Sequence, residues 1–107
     1  MSDGAEIGRV PIAELSAKKL VRLPCAPYHV ALAWVDGCAY AIEDACPHSG
    51  VSLSTGTLRG HRIRCPGHDW DIDVRTGDVV IPPLGLSTRC FTATVEGDDV
   101  VVRDGAP

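Results

Sequence analysis

Two short clusters constrain this chain more than any other feature: Cys46-Pro47-His48-Ser49-Gly50 and Cys65-Pro66-Gly67-His68-Asp69-Trp70. Each offers one thiol and one imidazole, two or three residues apart, and sixteen residues separate His48 from Cys65. Soft, anionic thiolate and neutral imidazole are both good ligands for transition metals. A proline follows each cysteine, fixing φ and removing an N–H, so each loop begins stiff. Gly50 and Gly67 let backbone crowd close to whatever the loops enclose. A purely structural role, with both cysteines as small buried hydrophobes, leaves four coincident spacings unexplained.

The pattern Cys46-x-His48…Cys65-x-x-His68 resembles that of the Rieske family, in which two histidines replace two cysteines on one iron of a 2Fe–2S centre. The resemblance is to the soluble ferredoxin-type members and runs from Val10 to Asp104. It includes Cys46 to Leu53, the Gly56 turn, Cys65-Pro66-Gly67-His68 and Asp73-Val74-Arg75-Thr76-Gly77. Pro82-Pro83 falls where the family's proline-bearing third loop covers the cluster. Zinc sites more often pair Cys with Cys and His with His; the mixed loops here favour two irons.

The resemblance implies an all-β fold: a Rieske-type antiparallel β-sandwich or barrel with a small cluster-binding subdomain of two loops. Residues 1–107 are expected to form one domain, with a loose tail over 1–6 and cluster loops at about 45–51 and 65–70. It implies that Cys46 and Cys65 hold the inner ferric iron of one 2Fe–2S cluster. His48 and His68 would hold the outer iron, where the transferred electron resides. The implied role is a one-electron carrier from a flavoprotein reductase to a terminal oxygenase of the aromatic-ring dioxygenase type, with no catalysis of its own and no small-molecule substrate. Asp69 and Trp70 also resemble the Rieske-like small subunit of nitrite reductases, so a fixed subunit of a multi-subunit oxidoreductase is the alternative. Two departures stand out. Val51 and Gly67 occupy the positions of a loop-linking disulfide found in respiratory-complex members. Trp70 and Ile72 replace the Ser and Tyr whose hydroxyls raise the potential there.

At 107 residues the chain has room for one compact domain. It is 45 % hydrophobic but only 5 % aromatic, so its core must be built from Val, Ile, Leu and Ala. A net charge of −4 argues against nucleic acid or an anionic membrane as partner. Met1 to Arg9 is polar, unlike a signal peptide, and no apolar run approaches a membrane span, so a cytoplasmic location is expected. Of five cysteines, Cys25, Cys38 and Cys90 remain after the two candidate ligands and are expected to be buried free thiols. His29 and His61 read as ordinary side chains. No further His pair stands near a carboxylate to hold a mononuclear iron, and no phosphate loop or nucleophile arrangement appears.

Taken in order, Ile7 to Pro11 reads as a strand, Ile12 to Leu15 as a single turn, and Leu20 to Leu23 as a strand stopped by Pro24. Residues 29–35 are apolar on both faces, the mark of a strand covered on two sides. Asp36-Gly37 then predicts a hairpin back through Cys38 to Ile42. Val51 to Gly60 reads as irregular crossover and His61 to Arg64 as a strand. Trp70 to Val74 should place Trp70, Ile72 and Val74 inward and Asp71 and Asp73 outward. Val79 to Ile81 pairs back, Pro82 to Gly85 is loop, and Arg89–Val95 with Val100–Arg103 forms a last hairpin. Eight to ten short strands result, with no amphipathic helix. Glu43, Asp44, Asp69 and Asp71 flank the loops and predict an acidic ring around the tip.

Overall fold

Alternation in residues 29–35 produces the strand around which the two halves of the molecule are layered. The computed structural model describes residues 4–25, 28–47, 50–66 and 70–105. Its strands are β1 (Glu6–Pro11), β2 (Leu20–Cys25), β3 (Tyr28–Val35), β4 (Cys38–Glu43), β5 (Thr57–Arg59), β6 (Arg62–Arg64), β7 (Asp71–Asp73), β8 (Val79–Ile81), β9 (Cys90–Glu96) and β10 (Asp99–Arg103). A helix, α1 (Ile12–Lys18), follows β1, and a 3₁₀ turn spans Leu53–Thr55. A six-stranded sheet runs β1-β10-β9-β4-β3-β2, and a four-stranded sheet runs β5-β6-β7-β8. Every strand pairing is antiparallel. The end strands β1 and β2 lie against each other, so the larger sheet curls almost into a barrel. Gly8 on β1 lies close under the Leu23 side chain of β2, where an added Cβ would come within 2.8 Å of Leu23 Cδ2 and push that side chain aside.

The two faces of β3 feed two cores. Val30 and Leu32 point into the barrel with Val10, Leu15, Ala41, Phe91, Val100 and Val102. Ala31 and Ala33 point the other way, toward Ile42, Leu53, Ile63, Ile72, Val74 and Val79 under the small sheet. The core is aliphatic as the composition requires, with Phe91 its one fully buried ring among the described residues. Alanines at 31 and 33 keep the barrel wall thin where the small sheet packs on it. Asp36 (φ 52°) and Gly37 (φ 79°) form the predicted two-residue turn, with positive φ at both central positions.

Four expectations need correction. The single turn after Pro11 is a two-turn helix, because Leu15 is fully buried and anchors it to the barrel. It ends at Lys19 (φ 72°), whose N–H bonds to the Leu15 carbonyl. Pro24 does not stop β2, which continues to Cys25. β2 is the last strand in its sheet and bonds only to β3, so a proline costs it no ladder bond on the outer side. The crossover after Val51 contains the 3₁₀ turn and then β5, which forms a tight hairpin with β6 about Gly60 (φ 57°). At the N-terminus, Glu6 already pairs with Arg103, and the Ala5 carbonyl accepts the Asp104 N–H at 3.0 Å.

Leu15 makes the helix testable. Leu15→Ala should destabilise the fold by roughly 2–5 kcal/mol, the usual cost of truncating a fully buried leucine, in guanidinium unfolding. A loss of less than about 1 kcal/mol would mean α1 merely decorates the barrel.

Candidate metal centre

Both candidate thiols sit just past a strand, one from each sheet, where the chain turns into a loop. Cys65 directly follows β6, and Cys46 lies three residues past β4. Both are buried, at 2 % and 1 % exposure for Cys46 and Cys65, in the core beneath the small sheet. Burial and the neighbouring Cys46 thiol push the Cys65 thiol above its ordinary pKa. The structure thus brings together two residues nineteen apart in sequence, packed with Ile42, Leu53, Ile63 and Ile72. The remaining candidate ligands, His48 and His68, lie outside the described residues, as do Ser49, Gly67 and Asp69.

The two loops close in the same way. Cys46 N–H donates to the Val51 carbonyl at 2.9 Å, and Cys65 N–H donates to the Trp70 carbonyl at 2.7 Å. Each cysteine is therefore bonded to the residue five positions later, and each six-residue loop is cinched at its base. Gly50 N–H adds a bond to the Cys46 carbonyl at 2.8 Å, and Gly50 takes φ 75°, a conformation open to glycine. Val51 and Trp70, the two closing residues, both pack on the core that holds the cysteines. The limb leaving the first loop also presses on the strand leading to the second. A Cβ at Gly56 would lie 2.1 Å from the Arg64 carbonyl, one residue before Cys65.

Two of the four acids expected in a ring around the tip, Asp44 and Asp71, are buried. Asp44 has a fully buried side chain. Its carboxylate accepts bonds from Ser52 Oγ (2.5 Å), Ser54 Oγ (2.8 Å) and Ser54 N–H (2.6 Å), and Arg22 Nε lies 3.3 Å away. Asp71 and Asp73 face away from the apolar core, as expected, yet are also buried. Arg64 Nε donates to Asp71 at 3.0 Å. Arg75 grips Asp73 through Nη2 (2.8 Å), Nε (3.1 Å) and its backbone N–H (2.8 Å). Guanidiniums, half-exposed, are what solvent meets at these three places. Buried carboxylates survive because each has a cation and hydrogen bonds. Single-sequence reasoning missed the Asp44 network. Its only trace is the pair Ser52 and Ser54 on either side of an apolar Leu53.

Among the other thiols, Cys38 is free and exposed rather than buried, at the end of the hairpin turn. Cys90 is free and partly buried, and burial raises its pKa. His61 stacks edge-on to Tyr40, with ring centres 5.6 Å apart, as an ordinary packed side chain. Among the described residues no group of three His, Cys, Asp or Glu side chains forms a second metal site.

The Asp73 contact carries a pH signature. The Arg75 hydrogen bond holds the Asp73 carboxyl below its ordinary pKa of 3.8. A depressed folded-state pKa stabilises the fold above the ordinary value, and that stability is lost as pH falls through the lower folded value. Arg75→Gln should therefore be less stable than wild type at neutral pH, and the gap should close on acidification. Unfolding curves from neutral pH to about 2 would show it, and a gap that stays constant with pH would refute the assignment.

Comparison with known proteins gives a consistent picture. The family model of the Rieske [2Fe-2S] domain matches residues 9–92. The chain is 36 % identical over 87 residues to the ferredoxin component of the p-cumate 2,3-dioxygenase system of Pseudomonas putida, covering 80 % of this chain and 73 % of that protein. A chain from the complex of reduced oxygenase and oxidized ferredoxin in carbazole 1,9a-dioxygenase superposes with a TM-score of 0.81 at 27 % identity, covering 92 % of this chain and 95 % of that one. A putative small subunit of an NADPH nitrite reductase superposes with a TM-score of 0.75 at 16 % identity, covering 92 % and 97 %, and shares the fold alone.

Proposed function

The chain belongs to the Rieske [2Fe-2S] domain family, and we infer that it works as a ferredoxin, carrying single electrons from a flavoprotein reductase to a terminal oxygenase of the aromatic-ring dioxygenase type. The observation that carries this reading is the paired burial of Cys46 and Cys65 at the bases of two identically closed loops. Similarity to a dioxygenase ferredoxin component supports it. Residues 1–107 act as one domain, working in the cytoplasm. No helix among the described residues is long and apolar enough to cross a membrane.

Two thiols already side by side in an apolar core fit the sulfur half of a histidine-ligated cluster. Cys46 and Cys65 would supply the thiolates and His48 and His68 the imidazoles for one 2Fe–2S group. When bound, that group supplies the one-electron couple. The chain's own part is to bind and to shield. Ile42, Leu53, Ile63 and Ile72 exclude water from the thiol side. The cinched loop bases hold both cysteines against the core before any group is bound. Thiols must give up their protons to become ligands, so loading releases protons.

Protein made with ample iron should contain two irons and two acid-labile sulfides per chain, and once reduced it should give the low-mean-g EPR signal of a histidine-ligated centre. His48→Ala or His68→Ala should abolish that signal by removing a ligand from one iron. Stoichiometric zinc in place of iron would refute the assignment.

The surroundings of the thiols also bear on the potential. Histidine-ligated centres span about −150 to +300 mV, tuned by hydrogen bonds to sulfur and by exposure. Ile72 is fully buried in the core shared with both cysteines and offers no hydroxyl, and Val51 cannot form a disulfide. A midpoint of roughly −150 to −50 mV is expected, at the low end of that range. A value above about +100 mV in protein-film voltammetry would contradict it.

A further inference from the structure

Asp44 lies two residues before Cys46, outside the set of candidate ligands, and its position has no explanation in packing alone. Its backbone N–H donates to the His29 carbonyl on β3 at 2.8 Å, which fixes it to the barrel. Its fully buried carboxylate reaches across the neck of the first loop to the chain leaving it. There it takes the hydroxyls of Ser52 and Ser54 and the N–H of Ser54. Leu53, between those serines, is itself fully buried, so the exit limb is held from both sides. The loop between carries the Cys46 N–H to Val51 carbonyl bond, directly inside the clamp.

We propose that Asp44 is a positioning residue: its carboxylate ties the entry and exit of the first loop together and thereby sets the place of Cys46. A buried ionised carboxylate is costly unless every acceptor is used, so the fold keeps this one for what it holds. Charge-assisted bonds are the strong ones, and three of them converge here across the loop neck. Arg22, on the outer strand β2, supplies the balancing charge from the solvent side. An apolar residue at 44 would fill the space without joining the two limbs. What the positioned loop is for rests on the ferredoxin reading; the clamp itself does not.

The test compares Asp44→Asn, Ser54→Ala and Arg22→Gln with Leu15→Ala, which weakens the barrel away from the loop. Amide hydrogen exchange at Cys46 and Ser54 is read in each, together with cluster loss to a ferrous chelator and the EPR line of the reduced protein. Asp44→Asn should speed exchange at both amides and raise the rate of cluster loss by about 10–100-fold, as loss of a supporting contact around a metal site commonly does. Its EPR line should shift or broaden. Ser54→Ala should act in the same direction and less strongly, and Arg22→Gln least. Leu15→Ala should lower global stability and leave the EPR line unchanged. If Asp44→Asn fails to fold, Ser54→Ala and Arg22→Gln decide. Exchange at Cys46 and cluster loss equal to wild type in the folded variants would overturn the proposal, as would changes that merely track global stability. Wild-type protein that takes up no iron would sink the ferredoxin reading, while amide exchange would still judge the clamp.

Discussion

Burial of two cysteines in one apolar layer is the constraint on which the remaining structure depends. Cys46 and Cys65 share the core between the curled six-stranded sheet and the four-stranded sheet. Each has its N–H spent on a carbonyl five residues ahead. The layer works because its barrel side is lined by Ala31 and Ala33, small enough for the loops and the small sheet to settle close to β3. A polar backbone group buried there without a partner would cost free energy comparable to a lost hydrogen bond. The matched loop closures remove that cost twice, in the same way.

Charge is organised on the same plan. The chain carries four more negative than positive groups. Yet Asp44, Asp71 and Asp73 are buried and answered by Arg22, Arg64 and Arg75, whose side chains are about half exposed. Asp44, Asp71 and Asp73 thus act as internal braces and their arginines as the outer ends. Net charge says little about the sign a docking partner meets at such a place, because a partner senses the exposed groups within a Debye length, about 8–10 Å.

These features agree with a small electron carrier of the Rieske family. The barrel, tied through β3 and through the buried Leu15 of α1, supports the site, with the first loop leaving its own strand β4 and the second joining β6 to β7 of the small sheet. Trp70 and Ile72 continue the apolar layer up to the second loop, in place of hydroxyl donors.

Much of this was legible in the chain itself. Two-sided apolarity in residues 29–35 foretold a strand covered on both faces, because side chains alternate with a period of two whatever the tertiary context. Asp36-Gly37 foretold its hairpin, because few residues accept two successive positive φ values. The Cys and His spacings pointed to the family, because ligand geometry restricts which residues can stand two or three apart. Tertiary structure alone decided the rest. Whether Asp44 and Asp71 face water depends on where Arg22, Ser52, Ser54 and Arg64 arrive, and those come from other strands or the far side of a loop. Pro24 within β2 is acceptable only because that strand ends its sheet, and α1 exists only because Leu15 finds a barrel to enter. Edge position, burial and ion pairing are properties of neighbours distant in sequence, and no local pattern encodes them.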